Sequence, residues 1–134
     1  MLNRSAVLVV EDEPIIAMAL AFAIREANGV VVGPAASVKA ALILLKTHNV
    51  VAAILDANVT DGIITPVVQY LMQRQIPVIV QTGVGIPDDL AEEFPGLIVR
   101  IKPALGGVLV AELAQLITDR ENALKEDGSL LSST

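Results

Sequence analysis

The stretch Val51-Ala52-Ala53-Ile54-Leu55-Asp56 decides the fold. Five apolar residues close on a carboxylate. The run is too short for a helix, and with no polar alternation it reads as a strand covered on both faces. Working outward, the same pattern recurs. Ala6-Val7-Leu8-Val9-Val10 runs into Glu11-Asp12-Glu13. Ile76-Pro77-Val78-Ile79-Val80-Gln81 runs into Thr82-Gly83. Leu97-Ile98-Val99-Arg100-Ile101 runs into Lys102-Pro103. With a further run near 30–33, the expected strands are 6–10, 30–33, 51–55, 76–81 and 97–101.

Helix-period segments separate these runs. The first spans Pro14 to about Ala27, with Ile16, Leu20, Ala23, Ile24 and Ala27 as its apolar stripe and Asn28-Gly29 as its stop. Ser37 is placed to cap a second, with Val38, Ala41, Leu42 and Leu45 facing inward. Thr65-Pro66 opens a third. Between Gly85 and Gly96 there is room only for a short fourth, near 87–93. The fifth starts near Val108 and buries Leu109, Leu113, Leu116, Ile117 and Leu124. Strands alternating with helices predict an α/β domain with a doubly wound, five-stranded parallel sheet. One domain is expected over 1–124, with a polar tail over 125–134.

In such sheets ligands bind at the carboxyl edge of the strands. Here that edge collects Glu11, Asp12, Asp56, Thr82 and Lys102. Crowded carboxylates repel one another until a hard cation such as Mg²⁺ joins them. An ammonium and a hydroxyl beside them suit a phosphorylatable aspartate.

Composition narrows the classes. The chain has 134 residues, 54% hydrophobic but only 2% aromatic, so its core is aliphatic. Fifteen Asp and Glu against nine Lys and Arg give a net charge of −6, which disfavours nucleic acid and anionic membranes as partners. The absence of cysteine removes disulfides and thiolate metal sites. No apolar run approaches the ~18 residues of a membrane span. A cytoplasmic protein is expected. His48, the single histidine, is expected in an exposed loop and cannot by itself build a zinc site or a Ser-His-Asp triad. Glu13 reads as a helix-start residue, Asp61 as a turn residue with Gly62, and Tyr70 and Phe94 as packing residues. Val108-Leu109 reads as a partly exposed pair able to meet a partner.

Taken together, these motifs resemble the receiver domains of bacterial two-component response regulators, over residues 6 to about 122. The carrying segments are Val7-Leu8-Val9-Val10-Glu11-Asp12-Glu13-Pro14, Ile54-Leu55-Asp56 with Asp61-Gly62, Thr82-Gly83 and Lys102-Pro103. The resemblance implies a flavodoxin-like fold with strand order 2-1-3-4-5 and a cis Lys102-Pro103 bond. It implies Mg²⁺ held by Asp12, Asp56 and the Asn58 backbone carbonyl, with Glu11 acting through water. Asp56 would take a phosphoryl group from a phosphohistidine, with Thr82 and Lys102 contacting its oxygens. The domain would then signal through a protein partner and not act as an enzyme.

Val32-Gly33-Pro34-Ala35-Ala36-Ser37, Thr65-Pro66-Val67 and Gln81-Thr82-Gly83-Val84-Gly85 resemble the alphaproteobacterial FATGUY subgroup. Its members pair with histidine kinases of the HWE and HisKA2 types. Val80 and Gln81 stand where that motif has Phe and Ala. A phosphotransfer protein could serve as donor in place of a kinase. Val99 occupies the place of the aromatic switch residue of many receivers, which directs the response to Thr82 and the 83–96 loop. Two other readings stay open: a non-phosphorylated pseudo-receiver scaffold, and a haloacid-dehalogenase-like phosphohydrolase, whose Asp-x-Asp-x-Thr motif Asp56-Ala57-Asn58-Val59-Thr60 loosely imitates.

Overall fold

In the computed structural model, which describes residues 1–126, five strands form one parallel sheet. They are β1 (Ala6–Val10), β2 (Val30–Ala35), β3 (Ala52–Asp56), β6 (Val78–Thr82) and β7 (Ile98–Ile101). Two short strands, β4 (Asn58–Val59) and β5 (Gly62–Ile63), form a separate antiparallel hairpin. The sheet order β2-β1-β3-β6-β7 is the expected 2-1-3-4-5 order of the five long strands. The helices are α1 (Pro14–Glu26), α2 (Val38–Thr47), α3 (Thr65–Gln73), α4 (Asp88–Glu93) and α5 (Gly106–Glu126).

Alternation along each strand divides the core into two layers. Leu8, Val10, Ala53, Leu55, Val78 and Val80 face α2, α3 and α4. Val7, Val9, Ala52, Ile54 and Ile79 face α1 and α5. Both faces of the inner strands β1 and β3 are dry, so their positions are apolar until the carboxyl edge. The α5 stripe supplies Leu109, Val110, Leu113, Ala114 and Ile117 to the second layer. In α1 the buried positions are Ala17, Leu20, Ala21 and Ile24, while Ile16, Ala23 and Ala27 lie at the margin.

Element ends differ from expectation for physical reasons. The third run ends on Asp56 itself, which pairs in register with Gln81. The next strand begins at Val78, because Pro77 has no N–H to give a ladder, although its carbonyl accepts from Ala53. β2 continues to Ala35 past a cis Gly33-Pro34 bond and a register shift. At Gly33, φ is +100° and a Cβ would lie 2.9 Å from the Val9 carbonyl oxygen, so only glycine fits.

Helix α5 starts at Gly106, two residues early. A Cβ there would stand 3.2 Å from the Ala23 Cβ, so the missing side chain lets α5 approach α1. The helix runs to Glu126, and residues 127–134, most of the expected tail, lie outside the described residues. Leu109 is core at 1% exposure; of the pair proposed for a partner, only Val108 is exposed. Among the described residues no helix is long and apolar enough to cross a membrane.

Candidate functional site

Strand parity places the site. Glu11 continues the Val7, Val9 side of β1. Asp56 continues the Ala52, Ile54 side of β3. Gln81 continues the Ile79 side of β6, and Lys102 the Ile98 side of β7. All four therefore emerge over the α1–α5 layer at the carboxyl edge.

There they meet. The Lys102 ammonium lies 3.2 Å from Glu11 Oε1 and 3.2 Å from Asp56 Oδ2. Glu11, Asp12 and Asp56 bring carboxylate oxygens within 4.8 Å of one another. Glu11 and Asp56 are buried, and Asp12 is half-buried. The two oxygens of Glu11 are held separately: Oε2 accepts from the Glu13 N–H at 3.2 Å, and Oε1 from Lys102 and, at 3.4 Å, from the Gln81 amide. The Asn58 N–H donates to Asp56 Oδ1 at 3.3 Å.

Electrostatics follow from this crowding. Burial pushes the Glu11 carboxyl above its ordinary range, and the neighbouring Asp56 adds to the rise; the Glu13 N–H and Lys102 only partly oppose it. For Lys102, burial works against the charge, but hydrogen bonds and attraction from Asp56, then Glu11, outweigh it and raise the pKa. One ammonium thus serves two buried carboxylates, with a third beside them. This all-oxygen set with surplus negative charge fits a hard divalent cation such as Mg²⁺.

Thr82 behaves differently. Its parity is that of Val78 and Val80, toward the α3–α4 layer. Its hydroxyl donates to the Gly85 carbonyl at 2.8 Å and accepts from the N–H groups of Val84 and Gly85 at 3.2 and 3.1 Å. The structure brings Lys102 into contact with Glu11 and Asp56 and sets Asp12 beside them, while Thr82 is engaged in its own turn.

The remaining candidates are also placed. Glu13 is the residue before α1, with no side-chain capping bond. His48 is the exposed residue that ends α2, its ring against the Thr47 hydroxyl. Tyr70 and Phe94 pack at the margin of the core. Asp61 does more than turn the β4–β5 hairpin: its carboxylate accepts from the N–H groups of Val38 and Lys39 at 2.7 and 3.1 Å, closing the start of α2. Sequence reasoning missed Gln81 as a member of the site. It lies inside an apolar run, and only its register with Asp56 in the sheet reveals the face it takes.

No family model matches the sequence, and no curated protein is similar enough to count as a relative. Solved structures are informative. SdrG from Sphingomonas melonis Fr1 is 32% identical, over 88% of this chain and 99% of that one, with a TM-score of 0.70. A BeF3-activated conformation of SdrG matches at 36% identity and a TM-score of 0.63, over 87% and 99%. The anti-anti-sigma factor PhyR from Bartonella quintana is 28% identical over 92% of this chain, with a TM-score of 0.75; the chain spans 51% of that protein. A CheY-like receiver from Methanospirillum hungatei JF-1, 16% identical over 89% of this chain and 98% of its own, shares the fold at a TM-score of 0.79. Since 32% identity to SdrG extends over nearly all of that protein and the strand order is the one such receivers adopt, the chain belongs to the CheY-like receiver domains of response regulators.

Proposed function

We propose that this receiver accepts a phosphoryl group on Asp56 and in that form binds a protein partner. The observation that carries the reading is the Lys102 ammonium shared at 3.2 Å by Glu11 and Asp56 beside Asp12. An Asp56 carboxylate oxygen attacks the phosphorus of a phosphohistidine. The new O–P bond makes an acyl phosphate, the P–N bond breaks, and its electron pair stays on the imidazole nitrogen. Asp12, Asp56 and the Asn58 carbonyl would hold Mg²⁺, with Glu11 acting through water, and the bound cation would supply charge neutralisation at the phosphoryl oxygens. Lys102 is within reach of the same oxygens through its contact with Asp56. Thr82 would leave the Gly85 carbonyl to donate to one of them.

On this reading the chain is a signalling phosphoacceptor and not an enzyme with turnover, over a unit of 1–124 with 125–134 as a tail. The donor is a histidine kinase, of HWE or HisKA2 type, or a phosphotransfer protein. The setting is cytoplasmic. The likeness to SdrG, which has a BeF3-activated conformation, and to half of the response regulator PhyR supports this reading. The phosphohydrolase alternative loses ground because Asn58, in place of its general acid, offers Asp56 only a backbone N–H.

The test is phosphorylation with a small phosphoryl donor or a purified kinase, read by mass spectrometry. One acid-stable, alkali-labile group is expected on the wild type and none on Asp56→Asn. A group that persists in Asp56→Asn excludes the site. Steady release of phosphate from a small phosphomonoester supports the hydrolase instead.

A further inference from the structure

We infer that Gln81 is a positioning residue of this site: its buried amide holds the Glu11 carboxylate in place for the cation, independently of Lys102. The inference rests on the reading of Asp56 as a metal-dependent phosphoacceptor.

Gln81 is 2% exposed and is the last residue but one of β6. It pairs in register with Asp56 on β3, and Glu11 follows β1 on the far side of β3. Its side chain therefore passes over the strand of Asp56 to reach Glu11, about two strand spacings or roughly 10 Å away. No packing need in the aliphatic layer calls for an amide. Val7, Val9, Ile54 and Ile79 fill the same face with hydrocarbon. A buried amide persists where its polar end has a partner, and the donor end of this one has Glu11 Oε1 at 3.4 Å.

Two donors share that oxygen, and they differ in kind. Lys102 brings a positive charge, which opposes a cation at the same cluster, and it is also bonded to Asp56. When Lys102 turns to phosphoryl oxygens on Asp56, Glu11 Oε1 loses its ammonium. Gln81 carries no charge, sits in a strand, and competes with no cation. It keeps Glu11 oriented through that exchange. Groups that orient metal ligands typically change affinity by about 10–100-fold when removed. Gln81 acts one bond further out and at a long distance, so roughly three- to tenfold is expected.

The experiment is a double-mutant cycle read by calorimetric titration of Mg²⁺ into the unphosphorylated chain. Gln81→Met keeps the volume and removes the donor. It should weaken Mg²⁺ about three- to tenfold in the wild-type background and leave affinity unchanged beside Glu11→Gln. Gln81→Ala, a second variant, should follow Gln81→Met. Thermal unfolding without Mg²⁺ shows whether each variant folds. Unchanged Mg²⁺ affinity in folded Gln81→Met and Gln81→Ala overturns the inference. So does an equal loss in both backgrounds, since the effect would then bypass Glu11. A wild type that binds no Mg²⁺ defeats the underlying reading as well, and the wild-type titration alone reveals it.

Discussion

At Lys102 the local charges lead to a test that separates holding a cation from handling a phosphoryl group. The ammonium sits between Glu11 and Asp56, where it partly cancels the repulsion that a divalent cation would otherwise relieve. Lys102→Ala should therefore bind Mg²⁺ as tightly as the wild type or more tightly, while phosphorylation of Asp56 slows. Paired titration and phosphorylation kinetics check both halves; weaker Mg²⁺ binding would make Lys102 part of the metal site instead. The Lys102 pKa is raised in the fold, so its pairing stabilises the protein below the ordinary value of 10.5 and is lost as pH rises through the higher folded value. Glu11, Asp56 and Lys102 were legible because each is a charged residue closing an apolar run, and Asp12 because it follows Glu11 directly. Gln81 was not, because it lies inside its run, and only the register with Asp56 shows which face it takes.

The segment after β6 is lightly held. Helix α4 has six residues and buries only Leu90, and the Thr82 hydroxyl ties the Val84–Gly85 turn through three hydrogen bonds. Drawing that hydroxyl toward a phosphoryl oxygen must break the bond to the Gly85 carbonyl. Amide chemical shifts recorded with Mg²⁺ and a phosphoryl mimic should change most, outside the pocket, from Gly83 to Gly96. Larger changes along α1 and α2 would reject this route.

The start of α2 is held twice, by the Ser37 hydroxyl on the Ala40 N–H and by Asp61 on Val38 and Lys39. Ser37→Ala should cost about 1 kcal/mol in denaturant unfolding. The N–H groups of Val38 and Lys39 hold the Asp61 pKa below its ordinary 3.8, so its contribution is present above that value and fades as pH falls through the lower folded one. Asp61→Asn should flatten that acid limb of the stability curve, with a fall in the unfolding temperature at neutral pH. Ser37 was readable as a cap because it directly precedes its helix. Asp61 was not, because its partners lie 22 and 23 residues away and only the β4–β5 hairpin brings them together.

For the molecule as a whole, the fold places carboxylates where the unfolded chain would keep them apart. Two apolar layers cover the sheet, and they force Glu11 and Asp56 out of water beside Asp12. The metal-free fold therefore carries an electrostatic cost at this edge. The raised pKa of Glu11 expresses it: the folded state holds that proton more firmly than the unfolded state, so this group's contribution to stability falls as pH rises from 4.5 through the higher folded value. A cation that binds the folded cluster alone acts in the opposite sense, because it needs the carboxylates ionised. At a tenfold excess of Mg²⁺ over its dissociation constant, the gain is about 1.4 kcal/mol, or roughly 5 °C in the unfolding midpoint. That gain should grow as pH rises from 4.5 through the raised Glu11 titration. Asp12→Ala should remove most of it without unfolding the metal-free protein, since Asp12 is half-buried and outside both apolar layers. Thermal unfolding with and without Mg²⁺, repeated at several pH values on both proteins, measures the difference directly. A midpoint shift that is the same at every pH, or the same in Asp12→Ala, would mean that Mg²⁺ acts elsewhere on this acidic surface.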